Sequence, residues 1–134
     1  MTNFDEYRDV FVVADTIDDV VHPVTYELIG QARRIAKELG QLVQVMLLGE
    51  NVQAEAEELV AHGADIVHVF ESPLLKYYTT DGYTKVLTDF FEDHKPNILL
   101  IGATNNGRDL APRMSGRMQN GVVADCTILT VDTE

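Results

Sequence analysis

Short apolar runs alternate with amphipathic stretches along the whole chain, the pattern that buries a parallel sheet between two helical layers. Val10-Phe11-Val12-Val13-Ala14 reads as the first strand. From Val24 to Leu39, Leu28, Ile29, Ala32, Ile35, Ala36 and Leu39 recur at three- and four-residue steps, one stripe of a helix, with Gly40 as its stop. The opposite face carries Arg33, Arg34, Lys37 and Glu38. Val43 to Leu48 gives a second strand, and Val52, Ala56, Leu59 and Val60 give a short helix that ends near Gly63 and is acidic outside. Ile66 to Phe70 forms a third strand. In "ESPLLKYYTTDG" the Ser-Pro and Asp-Gly pairs predict a long connection. Tyr83, Val86, Leu87, Phe90 and Phe91 make the stripe of the next helix, "HKPN" closes it, and Asn97 to Ile101 is the fourth strand. A loop and a helix through about Met118 follow, and Thr127 to Val131 would be a fifth strand.

Right-handed crossovers then favour an α/β fold, a three-layer doubly wound parallel sheet of order 3-2-1-4-5, nucleotide-hydrolase-like or Rossmann-like. The chain reverses between the first and fourth strands, so "ADTID" after one and "GATNNGRD" after the other are expected to face each other at the carboxyl edge. Ligands of such sheets sit there.

Length and charge narrow the classes. A chain of 134 residues is sized for one domain, 1–134, with one core. Ten Lys and Arg against 22 Asp and Glu give a formal charge of −12, which argues against nucleic acid or an anionic membrane as the principal partner. The apolar runs are far too short for a membrane-inserted helix, and the first ten residues lack the pattern of a secretory signal. A soluble, cytoplasmic protein is expected. The lone Cys126 has no CxxC or Cys/His spacing and reads as a core thiol.

The loop Ala103 to Arg113, "ATNNGRDLAPR", follows the apolar run Ile98 to Ile101. The glycines in and around it, Gly102, Gly107 and Gly116, resemble the spacing in nucleotide-binding relatives of the universal stress proteins, and glycine lets backbone N–H groups approach an anion. Against a phosphate stands Pro112. Proline is tolerated in a first helical turn, which puts the N-cap at Asp109 and makes Pro112 the third residue of the helix. Asp109 would then satisfy the free N–H groups and set a carboxylate where a phosphate would lie. The lysine and hydroxyl of a P-loop are missing, and G-x-G-x-x-G is absent after the first strand. Arg108 would stay at the mouth of the switch point, to serve either a cofactor phosphate or a partner carboxylate. Arg113 and Arg117 lie one turn apart beside Leu110, Ala111, Met114 and Met118, where they can cover the sheet edge and pair with carboxylates.

Other chemistry has little support. His22, His62, His68 and His94 fall in different segments with no ligand spacing, so no metal site is expected, and His68 reads as a hydrogen-bonded strand histidine. Ser115 has no nucleophile elbow, so no catalytic residue is assigned. Asp18 and Asp19 read as solvated turn residues. Tyr77 and Tyr78, adjacent in a long connector, are expected to dock a partner.

"HPVTYELIGQARRIAKELG" (His22 to Gly40), "AEELVAHGAD" (Ala56 to Asp65), "YYTTDGYTKVL" (Tyr77 to Leu87), "KPNILLIGATNNGRDLAPRMSGRM" (Lys95 to Met118) and "ADCTIL" (Ala124 to Leu129) resemble the N-terminal domain of the electron transfer flavoprotein alpha subunit. The resemblance covers nearly the whole chain. It implies a non-catalytic carrier subunit that pairs with a beta subunit, accepts electrons from flavin dehydrogenases such as acyl-CoA dehydrogenases, and passes them on through FAD. In that family a C-terminal domain holds most of the FAD; residues 1–134 are expected to include no counterpart of it and to be incomplete at the last strands of the N-terminal domain. Residues 1–134 alone are therefore expected to bind no cofactor tightly. Bifurcating members place a second flavin on the beta subunit near this domain, and Arg108, with Asn105 and Asn106 beside it, is the candidate to reach it. Tyr77, Tyr78, Arg113 and Arg117 are the candidate interface. The alternative expectation is a stand-alone nucleotide-binding module of the universal-stress type.

Overall fold

The computed structural model describes residues 8–94, 96, 98–102 and 104–117. Its main sheet comprises β1 (Val10–Val13), β4 (Val43–Gly49), β5 (Ile66–Glu71) and β6 (Ile98–Leu100), all parallel, in the order β5-β4-β1-β6. These are the third, second, first and fourth predicted strands in the expected sequence of neighbours. The predicted fifth strand, Met118 and Cys126 lie outside the described residues. Among the described residues four α-helices flank it: α1 (Pro23–Leu39), α2 (Gln53–Ala61), α3 (Thr80–Asp93) and α4 (Asn105–Arg117).

Every residue of β1 and β4 is buried, as a sheet covered on both faces requires. Alternation then sorts the side chains. Val10, Val12, Val45 and Leu47 pack with Leu28, Ile29, Ala32 and Ala36 of α1 and Leu59 of α2. Phe11, Val13, Met46 and Leu48 pack with Tyr83, Leu87 and Phe91 of α3 and Leu110 and Met114 of α4. The buried polar Gln44 among them donates to Asp9 Oδ2 at 2.7 Å and meets His68 Nε2 at 2.6 Å, which makes His68 the hydrogen-bonded strand histidine the sequence predicts. Burial, and then the neighbouring His94, lowers its pKa from 6.5.

Helix ends follow local chemistry at α1. His22 is its N-cap, its Nδ1 accepting from Val24 N–H at 3.0 Å with Pro23 behind it, and Gly40 closes it at φ +66°, where the left-handed backbone suits glycine. At α3 the sequence reading needs correction. Asp81-Gly82, expected to mark a connection, lies within the first turn of the helix, because Thr79 caps it by accepting from Gly82 N–H at 3.2 Å. The connector before it holds one 3₁₀ turn, Pro73–Leu75, capped by Ser72.

Candidate functional site

The two segments expected to meet do meet at the carboxyl edge between β1 and β6. After β1, "ADTID" folds into a hairpin of β2 (Thr16–Ile17) and β3 (Val20–Val21), antiparallel, with Asp18 and Asp19 at φ +51° and +63°. Aspartate tolerates this region better than most residues. Asp19 does more than face solvent: its carboxylate accepts from Glu50 N–H at 2.9 Å and Asn51 N–H at 3.2 Å, which ties the hairpin to the end of β4. Gly49 permits that approach, since a Cβ there would stand 2.6 Å from Asp19 Oδ1.

Across the switch point Thr104 Oγ1 donates to Asp15 Oδ2, and Asp15 N–H donates to Thr25 Oγ1 at 3.0 Å. Thr16 Oγ1 donates to Leu48 O at 3.0 Å, and Tyr83 OH, buried nearby, donates to Leu75 O at 3.1 Å. Burial raises the Tyr83 pKa. Sequence reasoning missed Asp15, Thr104 and Tyr83; the position of Asp15 as the first polar residue after a buried strand was the available signal.

The helix after this loop starts five residues earlier than expected. α4 begins at Asn105, with Arg108 N–H donating to Thr104 O at 2.8 Å, so Asp109 is not its N-cap and Pro112 stands inside the helix. The Asp109 carboxylate instead accepts from Thr80 Oγ1 and, at 2.7 Å, from Tyr78 OH. Those two bonds, Thr80 first, lower the Asp109 pKa. No acidic residue lies in the first turn of α4, so self-capping by Asp109 is not what occupies this edge.

Side chains occupy it. Val13, Ala14, Asp15, Tyr78, Tyr83, Ile101, Asn106 and Leu110 enclose a cleft of about 20 Å³. That is room for roughly one water, which needs about 10–15 Å³ by this measure. Of the sequence candidates, Asn106 lines the cleft, and Arg108, two residues further along α4, is exposed and engaged by no ion pair among the described residues. Asn105 begins the helix and Arg117 ends it; their side chains lie outside the described residues. Arg113 pairs with Asp81 of α3, both exposed. The two tyrosines part company: Tyr77 is exposed, whereas Tyr78 is half-buried against Tyr83 at a ring separation of 5.0 Å.

Burial first, and then the bond to Asp109, pushes the Tyr78 pKa up to about 12 from 10.0. A phenol whose folded pKa is raised stabilises the fold fully below its unfolded pKa, and that contribution is lost as pH climbs from about 10 to about 12. Asp109→Asn removes one cause and should bring the Tyr78 titration down towards its ordinary range, read by tyrosinate absorbance against Tyr78→Phe. An unmoved curve would show that Asp109 does not hold this hydroxyl.

A family model described as "Electron transfer flavoprotein domain" matches residues 10–134. The chain belongs to the electron transfer flavoprotein family. It is 45% identical over 129 residues to "Electron transfer flavoprotein subunit alpha" of Megasphaera elsdenii, covering 96% of this chain and 38% of that protein. It is 47% identical over 123 residues to "Lactate dehydrogenase (NAD(+),ferredoxin) subunit LctC" of Acetobacterium woodii, covering 92% of this chain and 29% of that protein. The chain thus spans well under half the length of these relatives. Among solved structures the universal stress protein from Archaeoglobus fulgidus in complex with dAMP has a TM-score of 0.58 at 15% identity, over 94% of this chain and 98% of that one, which shows the Rossmann-like fold. Electron transfer flavoprotein members are flavoproteins, and the two relatives are named as a subunit of an electron transfer flavoprotein and a subunit of a lactate dehydrogenase. Among the described residues no helix is long and apolar enough to cross a membrane, and no group of three or more His, Cys, Asp or Glu could hold a metal.

Proposed function

We propose that this lobe is the scaffold of an electron transfer flavoprotein alpha subunit, docking on a beta subunit and carrying electrons from flavin dehydrogenases through an FAD held mainly outside the lobe. The observation that carries this reading is the small cleft at the carboxyl edge: among the described residues it holds roughly one water's volume, too little for an isoalloxazine or adenine ring, which favours use of this edge as a surface.

That surface suits a protein partner. Ile17 and Val20 at the hairpin and Leu74 and Tyr77 in the connector are exposed apolar side chains. Glu50, whose N–H bonds to Asp19 and whose carboxylate lies 4.0 Å from Lys76 Nζ, stands between the two segments. Apolar and aromatic groups rimmed by charge are what interface cores use. Arg108, exposed and free of ion pairs among the described residues, is the side chain we assign to meet a partner carboxylate or the phosphate of a flavin carried by the partner.

Arg108→Ala should weaken the alpha–beta heterodimer by about tenfold, as loss of an interfacial arginine does, or shift the potential of the partner's flavin. Analytical ultracentrifugation and flavin redox titration read the two effects. If both are unchanged, Arg108 has neither role. A colourless purified heterodimer, or saturable AMP binding at the carboxyl edge in calorimetry, would favour the nucleotide-module reading over the scaffold.

A further inference from the structure

The amino-terminal edge of the sheet, opposite the site above, carries a groove of about 490 Å³ lined by Gly30, Arg33, Arg34 and Lys37 of α1, with His62 and Asp65 on the far wall. We propose that it binds a small anion bearing a diphosphate group, gripped by Arg33, Arg34 and Lys37.

Four observations support this. In a chain of formal charge −12, three of its ten Lys and Arg residues line one groove. No ion pair holds any of the three among the described residues, although Glu27 and Glu38 share α1 with them and α2 carries Glu55, Glu57 and Glu58. Asp65, the carboxylate on the far wall, is held to the backbone of β4, where its Oδ2 accepts from Val43 N–H at 2.8 Å. The groove is also formed in advance, because the stem of Arg33 lies over Gly63, where φ is +119° and a Cβ would stand 2.3 Å from Arg33 Cδ.

Chemistry selects the ligand class. Guanidinium forks match phosphoryl oxygens in pairs, and Lys adds a point charge. Residues three and four apart on a helix have Cβ atoms about 5–6 Å apart, so Arg33 with Lys37, and Arg34 with Lys37, span more than one phosphoryl group. The volume falls in the range of about 300–1,000 Å³ that small-molecule sites occupy. Favourable charge at a helix C-terminus accounts for Lys37 in the last turn, but that effect fades within one turn and does not reach Arg33.

The test is calorimetric titration of the intact protein with inorganic pyrophosphate at low ionic strength, with amide chemical shifts followed by NMR. Saturable one-to-one binding is expected, with shifts centred on Gly30, Arg34, Lys37 and His62. The paired substitutions Arg34→Gln and Lys37→Gln, both at exposed positions, should weaken binding by about tenfold or more, and Lys85→Gln on α3 should leave it unchanged. Absence of saturable binding, shifts centred elsewhere, or equal affinity for a tetraglutamate peptide would overturn the proposal; the last would reveal a general basic patch. The wild-type shift map decides the question even if the double variant fails to fold.

Discussion

Phe11→Ala should lower the unfolding free energy by about 4 kcal/mol, the usual cost of truncating a fully buried aromatic. Phe11 lies on β1 between β4 and β6 and is 2% exposed. Its ring meets Phe91 edge-on at 5.3 Å and Phe90 at 6.2 Å. Phe90 in turn stacks on His94 at 4.1 Å and meets Phe70 edge-on at 5.8 Å, so the substitution would leave a void beneath a connected aromatic layer. A central strand hydrogen-bonded on both sides cannot move inward to fill it, which keeps the cavity cost high. Against a total stability of about 5–15 kcal/mol, the loss is large. Urea denaturation should show a lower midpoint with the slope unchanged. Phe11→Leu should recover most of the difference, because it restores much of the volume. A Phe11→Ala cost below about 1 kcal/mol would mean that α3 is not seated on this face.

Leu110→Ala should cost about 3 kcal/mol, and the loss should be concentrated in α4. Among the described residues, Leu110 and Met114 are the buried side chains that seat this helix against the core, and Leu110 also walls the switch-point cleft. Pro112 inside α4 lacks an N–H, so the helix is short of one internal hydrogen bond and depends more on its packing. Arg113 paired with Asp81 adds little, since exposed ion pairs contribute about 0–1 kcal/mol. Native-state hydrogen exchange should show α4 amides opening well before those of β4 in the variant. Uniform loss of protection across the sheet and α4 together would show that α4 unfolds only with the whole. If the scaffold reading holds, the variant should also weaken the heterodimer, because Arg108 rides on the same helix.

Much of the architecture was legible because its signals are local and repeat. Buried strands appear as apolar runs and helices as stripes at three- and four-residue steps, and the order of β5, β4, β1 and β6 follows from the handedness of crossovers. The positions of β1, β4, β5 and α1 stand within one or two residues of expectation, and Gly40 ends α1 as predicted. The motifs around "GATNNGRDLAPR" likewise identify the family directly, as the match over residues 10–134 bears out.

The site depended on partners far away in sequence. Capping preference made Asp109 a good local candidate, yet its carboxylate is taken by Thr80 and Tyr78, 29 and 31 residues earlier, and α4 extends back to Asn105. The same fold drew Tyr78 away from Tyr77 and into the wall of the cleft, and brought His68 and His94 to a ring separation of 6.1 Å from segments that share no spacing. Periodicity records which face of an element is buried. It carries no information about which side chain from another element will arrive there, and that arrival fixed the beginning of α4 and the size of the cleft.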